Sequence, residues 1–108
     1  MSETDSTAAA REAEQHLPLP PATFDYLVFS LRTQAELSLG LLHFGEEKEK
    51  PEPDLGAARH AIDLLAMLQD KTRGNLALEE QRLLDNSLTE LRFRYVHAVE
   101  ERGKPAQP

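Results

Sequence analysis

Residues 75–99 read NLALEEQRLLDNSLTELRFRYVHAV, and the apolar side chains of the stretch recur at Leu84, Leu88, Leu91, Tyr95 and Ala98. Spacings that alternate between four and three residues mark the seam of a long amphipathic helix. The same rhythm runs through Phe24, Val28, Leu31, Ala35, Ser38 and Leu42, and again through Leu55, Ala58, Ile62, Leu65 and Gln69. Helices that are apolar along one seam must bury those seams against one another or against another chain. The spacing predicts an all-α fold, a three-helix antiparallel bundle with helices at 23–43, 54–72 and 77–101.

The helix ends follow from turn chemistry. Thr23 has a hydroxyl that can accept from a free amide of the first turn, and Asp25 puts negative charge where the helix dipole favours it. Gly45 is the expected left-handed stop of the first helix. The segment Glu46 to Pro53, with six charges and two prolines, reads as a solvated loop. Asp54 caps the second helix, and Gly74 ends it behind Lys71 and Arg73. Ala57, Ala58, Ala61 and Ala66 make this helix thin, so a neighbour can approach closely and it should be the most crowded element. A short turn over 74–77 makes the second and third helices antiparallel neighbours. Ala77 is a weak cap for the third helix, and Asn75 is the alternative.

Length and composition bound the rest. A chain of 108 residues holds one domain at most. Residues 1–21 are acidic and end in Leu-Pro-Leu-Pro-Pro, and residues 103–108 read Gly-Lys-Pro-Ala-Gln-Pro. Both tails are expected to be disordered, leaving 22–102 as the helical domain. The proline run can serve aromatic grooves, but a stiff spacer is its ordinary reading. With no cysteine, neither disulfides nor a zinc-thiolate site can stabilise so small a core, which leaves very good helix packing or self-association. The net charge is −7, of which residues 22–100 carry −5 from fourteen acids and nine bases. Such a surface repels nucleic acid and anionic membranes unless its bases cluster. No apolar secretion segment opens the chain. Asp25, Arg32, Gln34 and Glu36 interrupt the most apolar stretch, so no membrane span is expected and the cytoplasm is the default location.

Two helices carry a second apolar line: Leu27, Leu37, Leu41 and Phe44 on the first, Leu64, Met67 and Leu68 on the second. A lone bundle would leave one line per helix facing water. The surplus predicts a homodimer, with the first helix the leading contributor. Gln34 sits one residue from the seam position Ala35. Buried, it would pair with another helix or its own copy and fix register; otherwise it is a wetted flank. The third helix overhangs the second and carries Tyr95, Val96 and Val99 for a partner to cover. The corner Lys71, Arg73 and Asn75 is a candidate contact for an acidic group, against the plainer reading of a turn with Leu76 as its anchor.

A family resemblance rests on Phe24-Asp25-Tyr26-Leu27-Val28-Phe29-Ser30-Leu31-Arg32-Thr33-Gln34-Ala35 with Leu39-Gly40, and on Pro53-Asp54-Leu55, Ala58-Arg59 and Ile62-Asp63. It is densest over Met67-Leu68 and Lys71-Thr72-Arg73-Gly74-Asn75-Leu76, followed by Glu80, Leu84, Leu91-Arg92 and Tyr95-Val96. Together these stretches resemble a small bacterial family, the domain of unknown function 1844. Ala77 departs from the Thr or Ser found at that place in the family. The resemblance implies a small helical cytoplasmic protein and brings no activity with it.

Chemistry-bearing residues are sparse. His16, His43, His60 and His97 lack the close spacing of metal ligands, so no metal or other cofactor is expected. Arg59 and Asp63, four apart, form an edge ion pair more readily than an acid–base couple. Nucleophile, phosphate-loop and dinucleotide motifs are absent. The residues predict a non-enzymatic, self-associating helical module whose partner is an unidentified protein, with Gln34, Leu37, Leu41, Lys71, Arg73, Asn75 and Tyr95 at its contacts. The alternatives are nucleic-acid binding through Lys71, Arg73, Arg92 and Arg94, or a small-molecule or metal-using enzyme.

Overall fold

The computed structural model describes residues 18–42, 45 and 52–103. Three helices account for most of them: α1 (Phe24–Ser38), α2 (Leu55–Lys71) and α3 (Leu78–Gly103). Each packs on the other two around one core. The core positions follow the seams: Val28 and Ala35 from α1, Ala58, Ile62 and Leu65 from α2, Leu84, Leu88 and Leu91 from α3. Ala61 joins them fully buried, so α2 presents small side chains where its neighbours come close. Ser87 is the buried polar side chain, and its Oγ has no hydrogen-bond partner among the described residues.

The N-termini form as the capping chemistry dictates. Thr23 Oγ1 accepts from the Tyr26 amide at 3.1 Å, and Asp54 Oδ1 accepts from the Ala57 amide at 3.0 Å. At α3 the Ala77 carbonyl accepts from the Gln81 amide at 2.9 Å, which makes Ala77, not Asn75, the cap. Glu80 Oε1 reaches back to accept from the Ala77 amide at 2.8 Å. This is half of a capping box, whose other half needs a side-chain oxygen that alanine lacks. Ala77→Ser is therefore expected to raise stability by about 1 kcal/mol, read as a higher urea midpoint at unchanged slope.

The end of α1 departs from expectation. The helix stops at Ser38 rather than His43, and Gly40 (φ +79°), not Gly45, takes the left-handed position. The Leu41 amide donates to the Glu36 carbonyl at 2.9 Å and the Gly40 amide to the Leu37 carbonyl at 3.1 Å, the two bonds of a Schellman motif. Leu42, placed on the seam by its spacing, is consequently outside the helix and exposed. His43 and Phe44 lie outside the described residues, as do both tails except 18–21 and Gly103. The Asp54 amide then donates to the Ser38 carbonyl at 2.8 Å, tying the start of α2 to the end of α1. α2 matches its predicted span to within a residue at each end, whereas α3 runs two residues further than expected.

Candidate functional site

Helical geometry divides α1 into unlike sides. At about 100° per residue, Leu27, Ser30, Gln34 and Leu37 fall within about 80° of one another, turned away from Val28 and Ala35. Leu27 is 43% exposed and Leu37 41%, while Gln34 is exposed and Ser30 half-buried. Tyr26 and Phe29 flank this strip, both exposed, with stacked rings 6.5 Å apart. The three charges of α1, Asp25, Arg32 and Glu36, fall on the remaining edge, within about 40° of each other. Arg32 is committed there: its Nη2 donates to Glu90 Oε2 at 2.7 Å and its Nε lies 3.4 Å from Glu36 Oε1, joining α1 to α3. The outward side of α1 is thus apolar, hydroxylated and amidic, without a formal charge.

Gln34 and Leu37 share this strip, so the structure brings these two expected contact residues together. Gln34 is on the surface rather than in the core. Leu41, 46% exposed, lies beyond the Schellman turn. It shares an open cleft of ≈ 560 Å³ with Leu39, Pro53, Leu55, Arg94 and His97. On α2, Met67 is exposed, while Leu64 and Leu68 are half-buried. Tyr95 is half-buried against the core and borders a groove with Arg59, Asp63, Arg92 and Val96.

The corner after α2 stands apart, about 24 Å along that helix from its first turn. Arg73 is paired with Asp70 at 2.8 Å, both side chains exposed. The Thr72 hydroxyl donates to the Leu68 carbonyl at 2.6 Å, the Asn75 amide donates to the Thr72 carbonyl at 2.8 Å, and Gly74 has φ +84°. Leu76 packs against the core beneath the turn. Turn chemistry accounts for Thr72 and Gly74, and an exposed ion pair engages Arg73. Arg73, Arg92 and Arg94 border three different clefts.

Arg59 and Asp63 form a long ion pair of 3.9 Å with exposed side chains, an arrangement with little electrostatic leverage. His60 and His97 are exposed, while His16 and His43 lie outside the described residues. Among the described residues no three His, Cys, Asp or Glu side chains could hold a metal ion. No described helix is long and apolar enough to cross a membrane.

Several features had no advance signal. Asp85 Oδ1 accepts from both Gln69 Nε2 at 2.7 Å and Gln81 Nε2 at 2.8 Å, a polar clasp between α2 and α3. The Gln81–Asp85 spacing of four could have been read on a helix, but Gln69 arrives only through packing. Phe93, 69% exposed, lies on the side of α3 away from its seam.

No curated protein and no solved structure gives a match to the chain. The family model of the domain of unknown function DUF1844 matches residues 21–97, which takes in α1, α2 and most of α3. The chain belongs to the DUF1844 family.

Proposed function

We propose that this chain is a non-enzymatic helical interaction module: an antiparallel three-helix bundle that self-associates through the outward side of α1 and presents the assembled surface to another protein. The observation that carries the reading is the exposed, charge-free side of α1, in a chain where 29% of residues are charged. Isolated apolar residues on a surface need no explanation, but a strip of them along one helix that excludes charge does. The Gln69–Asp85 bond close to the α2–α3 turn supports the antiparallel pairing of those helices. Met67 on α2 adds apolar surface to the reading.

Sedimentation of the full chain tests it. The weight-average mass is expected to rise from 12.1 kDa toward twice that value between low and high micromolar concentration. Leu37→Lys is expected to weaken association at least about tenfold, roughly 1.4 kcal/mol, without loss of helical circular dichroism. A chain that stays at 12.1 kDa throughout overturns self-association.

A further inference from the structure

The outward strip of α1 reads alike from either end. Leu27, Ser30, Gln34 and Leu37 are separated by three, four and three residues, a coiled-coil rhythm. Rotated end for end about residue 32, the strip places Leu27 on Leu37 and Ser30 on Gln34. Two-fold interfaces demand this property, because residue i meets residue j and j meets i. We propose that α1 packs antiparallel against α1 of a second copy, with two Ser30–Gln34 layers at the centre and a Leu27–Leu37 layer outside each. This rests on the reading that the chain self-associates and specifies which surface does so and in which direction.

Three observations favour a second copy in this register. The first is charge. Two acidic copies repel wherever their carboxylates approach, and the strip is where α1 has none; Asp25, Arg32 and Glu36 all lie on its other edge. A foreign partner is ordinarily selected by opposite charge, which the strip does not offer. The second is size. The antiparallel register sets small Ser30 against large Gln34 in both central layers, whereas a parallel register would crowd two glutamines in one layer and leave a gap between two serines in the other. The third is hydrogen bonding. The Ser30 hydroxyl donates to the Tyr26 carbonyl at 2.9 Å and keeps a lone pair free to accept from the Gln34 carboxamide, so each Ser30–Gln34 layer retains a hydrogen bond between copies as it leaves water. Antiparallel helices also oppose their dipoles, which parallel ones do not.

The chain has no cysteine, so introduced thiols are its only ones. Full-length Ser30→Cys and Gln34→Cys chains are mixed in equal amounts and mildly oxidised, with helical circular dichroism recorded for each. Disulfides need Cα atoms within about 7 Å. In the proposed register unlike positions meet that limit, while like positions are offset by about 6 Å along the axis in addition to the helix separation. The mixed disulfide is expected to exceed each like disulfide by at least tenfold. Like disulfides forming as readily as the mixed one overturn the antiparallel register. No cross-link from chains whose unaltered parent sediments as a dimer overturns this interface and leaves self-association standing. A parent that remains monomeric at high micromolar concentration overturns both.

Discussion

Leu65→Ala is expected to lower the unfolding free energy by about 3 kcal/mol, within the range of about 2–5 kcal/mol found for buried leucine truncations. Leu65 has no exposed surface and is among the largest fully buried side chains. It sits on α2, which packs against both other helices, so shrinkage of the resulting cavity would require two interfaces to shift together. A domain this small has little in reserve, since native stabilities of about 5–15 kcal/mol already include larger proteins. Urea unfolding followed by circular dichroism reads the loss as a lower midpoint at unchanged slope. Met67→Ala, two residues on and 42% exposed, serves as the comparison. It should cost well under about 1 kcal/mol in the monomer, as surface substitutions do. An equal loss from both variants would contradict the assignment of Leu65 to the core. Self-association makes apparent stability depend on concentration, so both variants belong at matched low concentration.

The second large effect has the opposite origin. Ala61→Leu is expected to destabilise by about 1–3 kcal/mol through overpacking. Ala61 is fully buried one turn from the seam position Ala58, so a larger branched side chain must displace its neighbours. Leucine is nearly as good a helix former as alanine, so any loss measures packing alone. Ala57→Leu supplies the contrast, because Ala57 lies on the same helix but is exposed and should tolerate the change. If Ala61→Leu were neutral, the thinness of α2 would have no structural consequence.

These two sites show what periodicity can reveal. The buried positions Val28, Ala35, Ala58, Ile62, Leu65, Leu84, Leu88 and Leu91 all follow from a repeat of three and four, because a helix has no other way to place a continuous apolar stripe. Asp54 and Thr23 were legible as caps because their side chains satisfy free amides locally. The end of α1 was not. Leu41, Leu42 and Phe44 continue the apolar rhythm past Ser38, and a glycine within such a run reads as an interior residue. Only the bonds from the Gly40 and Leu41 amides distinguish a stop there. Long-range polar links such as Arg32–Glu90, separated by 58 positions, have no local signature at all.

The candidate surface divides the same way. The surplus apolar line on α1 was readable, because two apolar stripes on one helix exceed what one core can cover. Whether Gln34 faced the interior was not, since its position borders the seam and one turn of packing decides the side. Tyr95 shows the reverse: it lies on the seam and on the overhang of α3, and the structure puts it against the core, leaving Phe93, Val96 and Val99 as exposed apolar residues there.

The bond between the Ser38 carbonyl and the Asp54 amide has a practical use. Two points of the backbone held together make the intervening segment an excursion that starts and finishes at one place on the helical body. Lengthening such an excursion costs little, about 0.6 kcal/mol for each doubling. An epitope or fluorescent reporter spliced between Gly45 and Glu52 should therefore leave the three helices in place, giving a labelled chain whose terminal segments are untouched.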